Sequence, residues 1–194
     1  MTPESPGAMI KAIIAGLEKG SGKKFSWWVK LAKKEGPAKH KALTDWLRKK
    51  YALKHYHAQW IAWGVLDPAR LTAYDDPDKL VNDLYSGKKE HLRPVYDKLI
   101  NAGRKLGDNV DVVVCKTYSS LRNRAQFAII NPRTQSAVDL ELAMPPGTKA
   151  SKRLEPWQGN NEKFTHRLRI KEAGEVDAQV KKCLEQACRY IAKK

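Results

Sequence analysis

Cysteine is scarce in this chain, and what there is has no pattern. Cys115, Cys183 and Cys188 are an odd number with no CxxC pair. That argues against a thiolate metal site or a redox couple and for buried, reduced thiols. Long apolar runs are missing too. No stretch approaches the ~20 residues that span a bilayer, so no membrane partner is expected. The first residues, MTPESPGAMIKAII, lack the basic lead, the continuous apolar segment and the small-residue cleavage site of a secretory signal. A cytoplasmic protein is expected. Catalytic signatures are absent as well: there is no GxSxG, P-loop, HExxH or dinucleotide glycine pattern. Gly20-x-Gly22-Lys23-Lys24 has neither the preceding strand nor the full spacing of a phosphate loop. The expectation is a protein with no enzymatic activity and no cofactor.

Acid is the remaining shortage. The 194 residues hold 21 Asp and Glu against 37 Lys and Arg, a net charge of +16. Residues 1–74 carry a surplus of +9, and the rest of the chain carries +7. The first part is also rich in aromatics: KKFSWWVKLAKKEGPAKHKALTDWLRKKYALKHYHAQWIAW runs from Lys23 to Trp63. A surface charged in this way attracts polyanions, and nucleic acids are the commonest, binding with release of condensed counterions. The apolar share of 42% is enough for a true core.

Periodicity divides the chain. Residues 8–18 place Met9, Ile10, Ile13, Ile14 and Leu17 on one helical stripe, closed by Gly20-Ser21-Gly22. A second helix over 25–35 turns Phe25, Trp28 and Ala32 inward and stops at Gly36-Pro37. A third spans about 38–51 with Leu43, Trp46, Leu47 and Tyr51 inward. A fourth spans about 55–66 with Ala58, Ile61 and Val65 at helical spacing. The proline- and acid-rich stretch 68–78 reads as a linker between a basic helical domain (1–67) and a second domain (79–194). That second domain begins with helices at PDKLVNDLYSG and at about 88–106. The period then changes to two. Residues 110–118, 126–131, 137–144 and 164–170 read as strands, with Asn131–Gln135 as a hairpin turn and a polar loop from Pro145 to Asn161. A last helix buries Val176, Val180, Leu184, Ala187 and Ile191. The fold class expected is α+β: an N-terminal helical module, then helix, helix, antiparallel sheet and helix.

The stretch GPAKHKALTDWLRKKYALKHYHAQWIAW resembles a small bacterial helical domain of unknown function. The features are Gly36, Pro37, Lys39, His40, the pair Trp46-Leu47, and His55 and His57 before the last helix. The second half is similar to another uncharacterised bacterial domain, through LYSGKKEHLRPVYDKL, KTYSSLRNRAQFAIINP, VDLEL, RLEP and THRLRI. Relatives of that domain occur in proteins labelled as predicted transport or restriction-associated factors. Its element order also resembles the frataxin-like, YjbR-like superfamily. These resemblances imply an architecture and no activity.

Two sets of candidate residues follow. The first is a nucleic-acid surface. Trp27, Lys30 and Lys34 form a stripe on the second helix, and Lys41, Arg48 and Lys49 lie on the outer side of the third. Lys23 and Lys24 precede a helix whose first N–H groups are open to phosphate. Lys39 and His40 complete the set. Cations hold phosphates while an exposed indole stacks on a base. Trp27 is the tryptophan expected outside; most of Trp28, Trp46, Trp60 and Trp63 are expected in the core. The pair 38–50 and 55–65 also has a helix-turn-helix-like order. The bland alternative is a solvated lysine-rich face that keeps a small protein soluble; ammonium groups scattered evenly and each matched by a nearby acid would leave no docking surface. The histidines His40, His55 and His57 lack the spacing of a metal site.

The second set is a pocket for a small anionic ligand, or a surface for a protein partner. It comprises Lys116, Tyr118, Arg122, Arg153, Trp157, His166, Arg167 and Arg169. Arg167 and Arg169 share a strand face and His166 points the other way, so the arginine pair next to Trp157 is poised to clamp a phosphate or carboxylate. Ordinary cross-strand ion pairs are the alternative. Asp139 and Glu141 have the acid-x-acid spacing of a metal-dependent nuclease but lack the lysine two positions on, which makes a nuclease the remote reading.

Overall fold

The computed structural model describes residues 6–159 and 161–193. They fall into two compact units, 6–76 and 77–193.

The first unit is helical. Helix α1 (Gly7–Ser21) ends where Gly22 takes a left-handed φ of 65° and donates its N–H to the Glu18 carbonyl. Helix α2 (Phe25–Glu35) stops at Gly36. A side chain there would collide with Leu43 and the Ala32 carbonyl, so glycine is the residue that allows the close turn. Helix α3 (His40–Tyr51) is followed by Ala52, which also takes a left-handed φ, of 52°. Helix α4 (His55–Leu66) then packs against α1, α2, α3 and a short helix α5 (Ala69–Thr72). The sequence HYHAQWIAWGVL is apolar on nearly every side because it runs through the middle of the unit. Gly64 lets α2 come close: an added Cβ would sit 2.8 Å from Val29.

The core of this unit joins Leu17, Trp28, Ala32, Leu43, Leu47, Ala58, Ile61 and Ala62. Met9, expected inward, is exposed. Trp28 is buried, with its indole N–H on the Ser21 hydroxyl at 3.1 Å. Trp46, Trp60 and Trp63 are only half-buried, lying at the rim of the core. The stretch expected to be a linker contains α5, and the second unit starts with helix α6 (Pro77–Leu84).

In the second unit a 3-10 turn (Gly87–Leu92) leads into α7 (Arg93–Arg104). The sheet is antiparallel and six-stranded, in the order β1-β2-β3-β4-β6-β5. Its strands are β1 (Asp111–Val114), β2 (Ser119–Asn123), β3 (Ala125–Asn131), β4 (Val138–Leu142), β5 (Leu154–Pro156) and β6 (His166–Ile170). A mixed α+β protein with N-terminal helices and an antiparallel sheet is the fold observed. Two strands differ from expectation. The run 110–118 is broken by a turn after Val114, and Ser119–Asn123 returns as β2. The expected polar loop contains the edge strand β5.

Register sorts the side chains. Val114, Ser119, Ile130, Leu140, Leu168 and Leu154 lie across one face, and all are buried. Helix α8 (Ala178–Ala192) packs on β2, β3 and β4. It buries both Cys183 and Cys188, whereas Cys115 is half-buried. Helix α7 reaches Leu121 through Gly103, where a Cβ would stand 2.9 Å from Leu121 Cδ2. The opposite face carries the rows Ser120, Ile129, Glu141, Arg167, Glu155 and Asn131, Asp139, Arg169. No helix among the described residues is long and apolar enough to cross a membrane.

Candidate nucleic-acid interface

The first unit leaves most of its cations unmatched. Lys19, Lys23, Lys30, Lys33, Lys34, Lys39, Lys41, Lys49 and Lys54 have no ion-pair partner among the described residues. Lys11 reaches Asp75 at 2.9 Å, Lys50 reaches Glu35 at 3.0 Å, and Arg48 stands 3.9 Å from Asp45. Acids are simply too few: between residues 6 and 76 they are Glu18, Glu35, Asp45, Asp67, Asp75 and Asp76.

The stripe on α2 is the best-formed part. Trp27 is 41% exposed. Its indole is fixed edge-to-face against the buried Trp28, with centroids 5.0 Å apart, and Lys23 Nζ lies 5.3 Å from its ring. Lys30 and Lys34 continue the stripe toward the C-terminal end of the helix. An aromatic plate held rigid beside three ammonium groups is equipped for a base and its flanking phosphates. On α3, Lys41, Arg48 and Lys49 are exposed. A shallow cleft of about 300 Å³ lies between Asp45, Arg48, Lys49, Ala52 and Leu53.

Two parts of the expected surface are otherwise. The N-terminus of α2 is already occupied. Glu18 Oε1 accepts the Phe25 N–H at 2.8 Å, and Lys24 Nζ lies 3.5 Å from the same carboxylate. That N–H bond, and then Lys24, hold the Glu18 carboxyl below its usual value. An incoming phosphate would find a carboxylate in its place. His40 is half-buried: its ring lies on Trp63, centroids 4.0 Å apart, and Nε2 is buried without a hydrogen-bond partner among the described residues. In the helix-turn-helix-like pair, α4 packs against α1, α2, α3 and α5 along its middle, while His55 and Tyr56 at its start and Leu66 at its end are exposed.

The second set of candidates is dispersed. Arg153 is tied to Asp177 and to the Glu175 carbonyl, 2.9 Å away. Arg122 sits on β2 beside Gln126. Lys116 and Tyr118 belong to the β1–β2 turn, where Lys116 lines a polar cleft of about 730 Å³ with Lys88 and Lys89. His166 is buried on the opposite side of the sheet from Arg167, with its Nδ1 3.0 Å from the Thr165 hydroxyl.

Arg167, Arg169 and Trp157 do come together, but as a matched network. Asp139, with 2% of its side chain exposed, receives Arg169 Nε at 3.0 Å and Arg167 at 3.4 Å. Arg133 reaches Glu141 at 3.0 Å, and Arg167 reaches Glu155 at 2.7 Å. Trp157 covers the cluster, its ring 4.1 Å from the Arg167 guanidinium and 5.1 Å from that of Arg133. The hydrogen bond from Arg167 holds the Glu155 carboxyl below its usual value, and Asp139 raises Arg169. Three arginines thus meet three carboxylates, leaving no net charge to clamp an anion. The acid pair Asp139 and Glu141 is held by guanidinium groups instead of facing a vacant metal position. Among the described residues no group of three His, Cys, Asp or Glu side chains has a metal-holding arrangement. Arg133 was missed in the sequence because it sits in a turn. Its signal was its place two residues beyond β3, over the strand that carries Asp139 and Glu141.

Residues 81–189 match a family model described as a domain of unknown function (DUF5655). Residues 9–65 match a second, also described as a domain of unknown function (DUF4287). No curated protein and no solved structure matches the chain.

Proposed function

The chain belongs, over residues 81–189, to the DUF5655 family, and on that premise we propose that the protein is a cytoplasmic, non-enzymatic nucleic-acid-binding protein that grips its ligand through α2 and α3, in the segment that matches DUF4287. The observation that carries this reading is the stripe on α2: an exposed, rigidly seated Trp27 beside Lys23, Lys30 and Lys34, none of which has an ion-pair partner among the described residues. Lys41, Arg48 and Lys49 on α3 supply further phosphate contacts. Keeping so many like charges on a small helical unit costs self-repulsion, which a polyanion relieves. The stripe stacks and neutralises without base-edge donors in a fixed array, so the reading predicts little sequence preference.

Anisotropy titrations with labelled single- and double-stranded oligonucleotides over a range of salt test the reading. Affinity should fall steeply with salt. Neutralising Lys23, Lys30 and Lys34 together to Gln should weaken binding about tenfold or more near 0.1 M salt and reduce the log–log salt slope by roughly 2 to 3. Trp27→Ala should cost single-strand binding about 1–3 kcal/mol. Affinity that ignores both salt and the triple substitution overturns the proposal.

A further inference from the structure

The geometry points to a second docking surface, in the second unit: the groove between α7 and α8 receives an acidic amphipathic helix from another protein. The groove has a volume of about 620 Å³. Its apolar lining is Ala102, Leu106, Val176 and Ala178, with Asn101 beside them. Lys98, Lys105, Lys181 and Lys182 stand along it, all exposed and all without an ion-pair partner among the described residues. Glu185 also lines it, but Arg189 already holds that carboxylate at 2.6 Å. The charge presented to an incoming chain is therefore that of four ammonium groups around an apolar trough.

That pattern selects its occupant. A helix with apolar residues at i, i+3, i+4 and i+7 lays one face into such a trough, and acidic residues flanking that face meet the lysines. Nucleic acid fits less well. It has no apolar ridge to set against the apolar lining, and no Trp, Tyr or Phe lines the groove for a base to stack on. A flat bilayer matches a concave groove between two helices less well than a helix does. A second copy of the chain brings the same net charge of +16 and is repelled.

The test uses the full chain, labelled with ¹⁵N, and two synthetic peptides of about 16 residues, roughly four helical turns. One places leucines at helical spacing with glutamates elsewhere; the other has the same composition with the leucines scrambled. The patterned peptide should shift the amide signals of Ala102, Leu106, Val176 and Ala178 and bind about tenfold tighter than the scrambled one. Lys98→Glu combined with Lys181→Glu should weaken it about tenfold or more, with the melting temperature unchanged and oligonucleotide binding near 0.15 M salt affected far less than by the α2 triple substitution. Equal affinity for both peptides overturns the inference. So do shifts confined to α2, or displacement of the peptide from the groove by anionic phosphatidylserine vesicles or by single-stranded DNA. Because the double variant keeps most of its oligonucleotide binding, failure here is separable from failure of the α2 reading.

Discussion

The two units carry equal surpluses of positive charge, +8 in residues 6–76 and +8 in residues 77–193, yet they use their cations differently. On α2 and α3 the cations are mostly lysines that stand in solvent without an acid among the described residues. On the outer face of the sheet they are arginines locked to Asp139, Glu141 and Glu155 under Trp157. The difference follows from the side chains. A guanidinium is planar, carries a fork of donors that fits a carboxylate, and is weakly hydrated, so it tolerates partial burial and stacks on an indole. An ammonium is strongly hydrated and stays at the surface, available to whatever anion arrives. Part of the second unit's charge that is unpaired among the described residues sits on Lys98, Lys105, Lys181 and Lys182 along the α7–α8 groove. A count of charges does not separate these cases; the match between each cation and its nearest acid does.

The largest expected effect comes from breaking the matched network at its centre. Asp139→Ala leaves Arg167 and Arg169 without their shared buried partner. Arg167 keeps Glu155 and Arg169 is 44% exposed, so the loss is that of unmade hydrogen bonds to a charged group, about 1–3 kcal/mol. Amides of β4 and β6 should exchange with deuterium about tenfold faster or more, with α1–α4 unaffected. Lys30→Ala touches no partner and should change stability by no more than about 0.5 kcal/mol. Comparable losses in both variants would erase the distinction between the regions. If Asp139→Ala proves too unstable to purify, Asp139→Asn keeps the volume and one acceptor oxygen, and should show a smaller shift in the same amides.

Arg153 sharpens the comparison from inside the second unit. It joins the start of β5 to Asp177, whose carboxylate accepts the Val180 N–H and so caps α8. Arg153→Ala should lower the melting temperature by a few degrees and leave oligonucleotide binding as it was. A loss of binding without a loss of stability would return Arg153 to a role in recognition.

The helices were legible because their apolar spacing is close to ideal and glycines mark their ends: Leu43 and Leu47 on α3, or Val95, Leu99 and Gly103 on α7, are one face each. The β3–β4 hairpin was legible from alternation around Asn131-Pro132. Strand β2 was not, because Ser119 and Ser120 read as turn formers. In the structure both are buried, and Ser120 accepts a hydrogen bond from the Gln126 amide at 3.1 Å. Strand β5 has three residues and ends in proline, too little pattern to register. The Trp27 stripe was legible from spacing within one helix. The occupation of the α2 N-terminus by Glu18, the seat of His40 on Trp63 and the reach of Arg133 to Glu141 depend on tertiary approach, which no local pattern encodes.

The smallest expected effect belongs to Glu18, the acid that accepts the first N–H of α2. Its folded-state pKa is depressed, first by the Phe25 N–H and then by Lys24. A carboxyl depressed on folding contributes stability that is fully present above its unfolded pKa of about 4.3 and is lost as pH falls through the lower folded value. Glu18→Gln keeps an acceptor for the Phe25 N–H and removes the charge. Wild type should melt slightly higher than the variant at neutral pH, and the gap should close as pH falls below about 4. Comparing the two chains cancels the acid response they share, including that of Glu155 and Asp177, whose carboxyls are also held below their usual values. A gap that stays constant down to about pH 3 would mean that Glu18 holds α2 by shape alone. The same substitution frees Lys24 and raises the charge of the unit, so oligonucleotide binding should strengthen slightly at low salt. A stronger grip on nucleic acid from a less stable protein would show that this acid serves folding at the expense of the surface beside it.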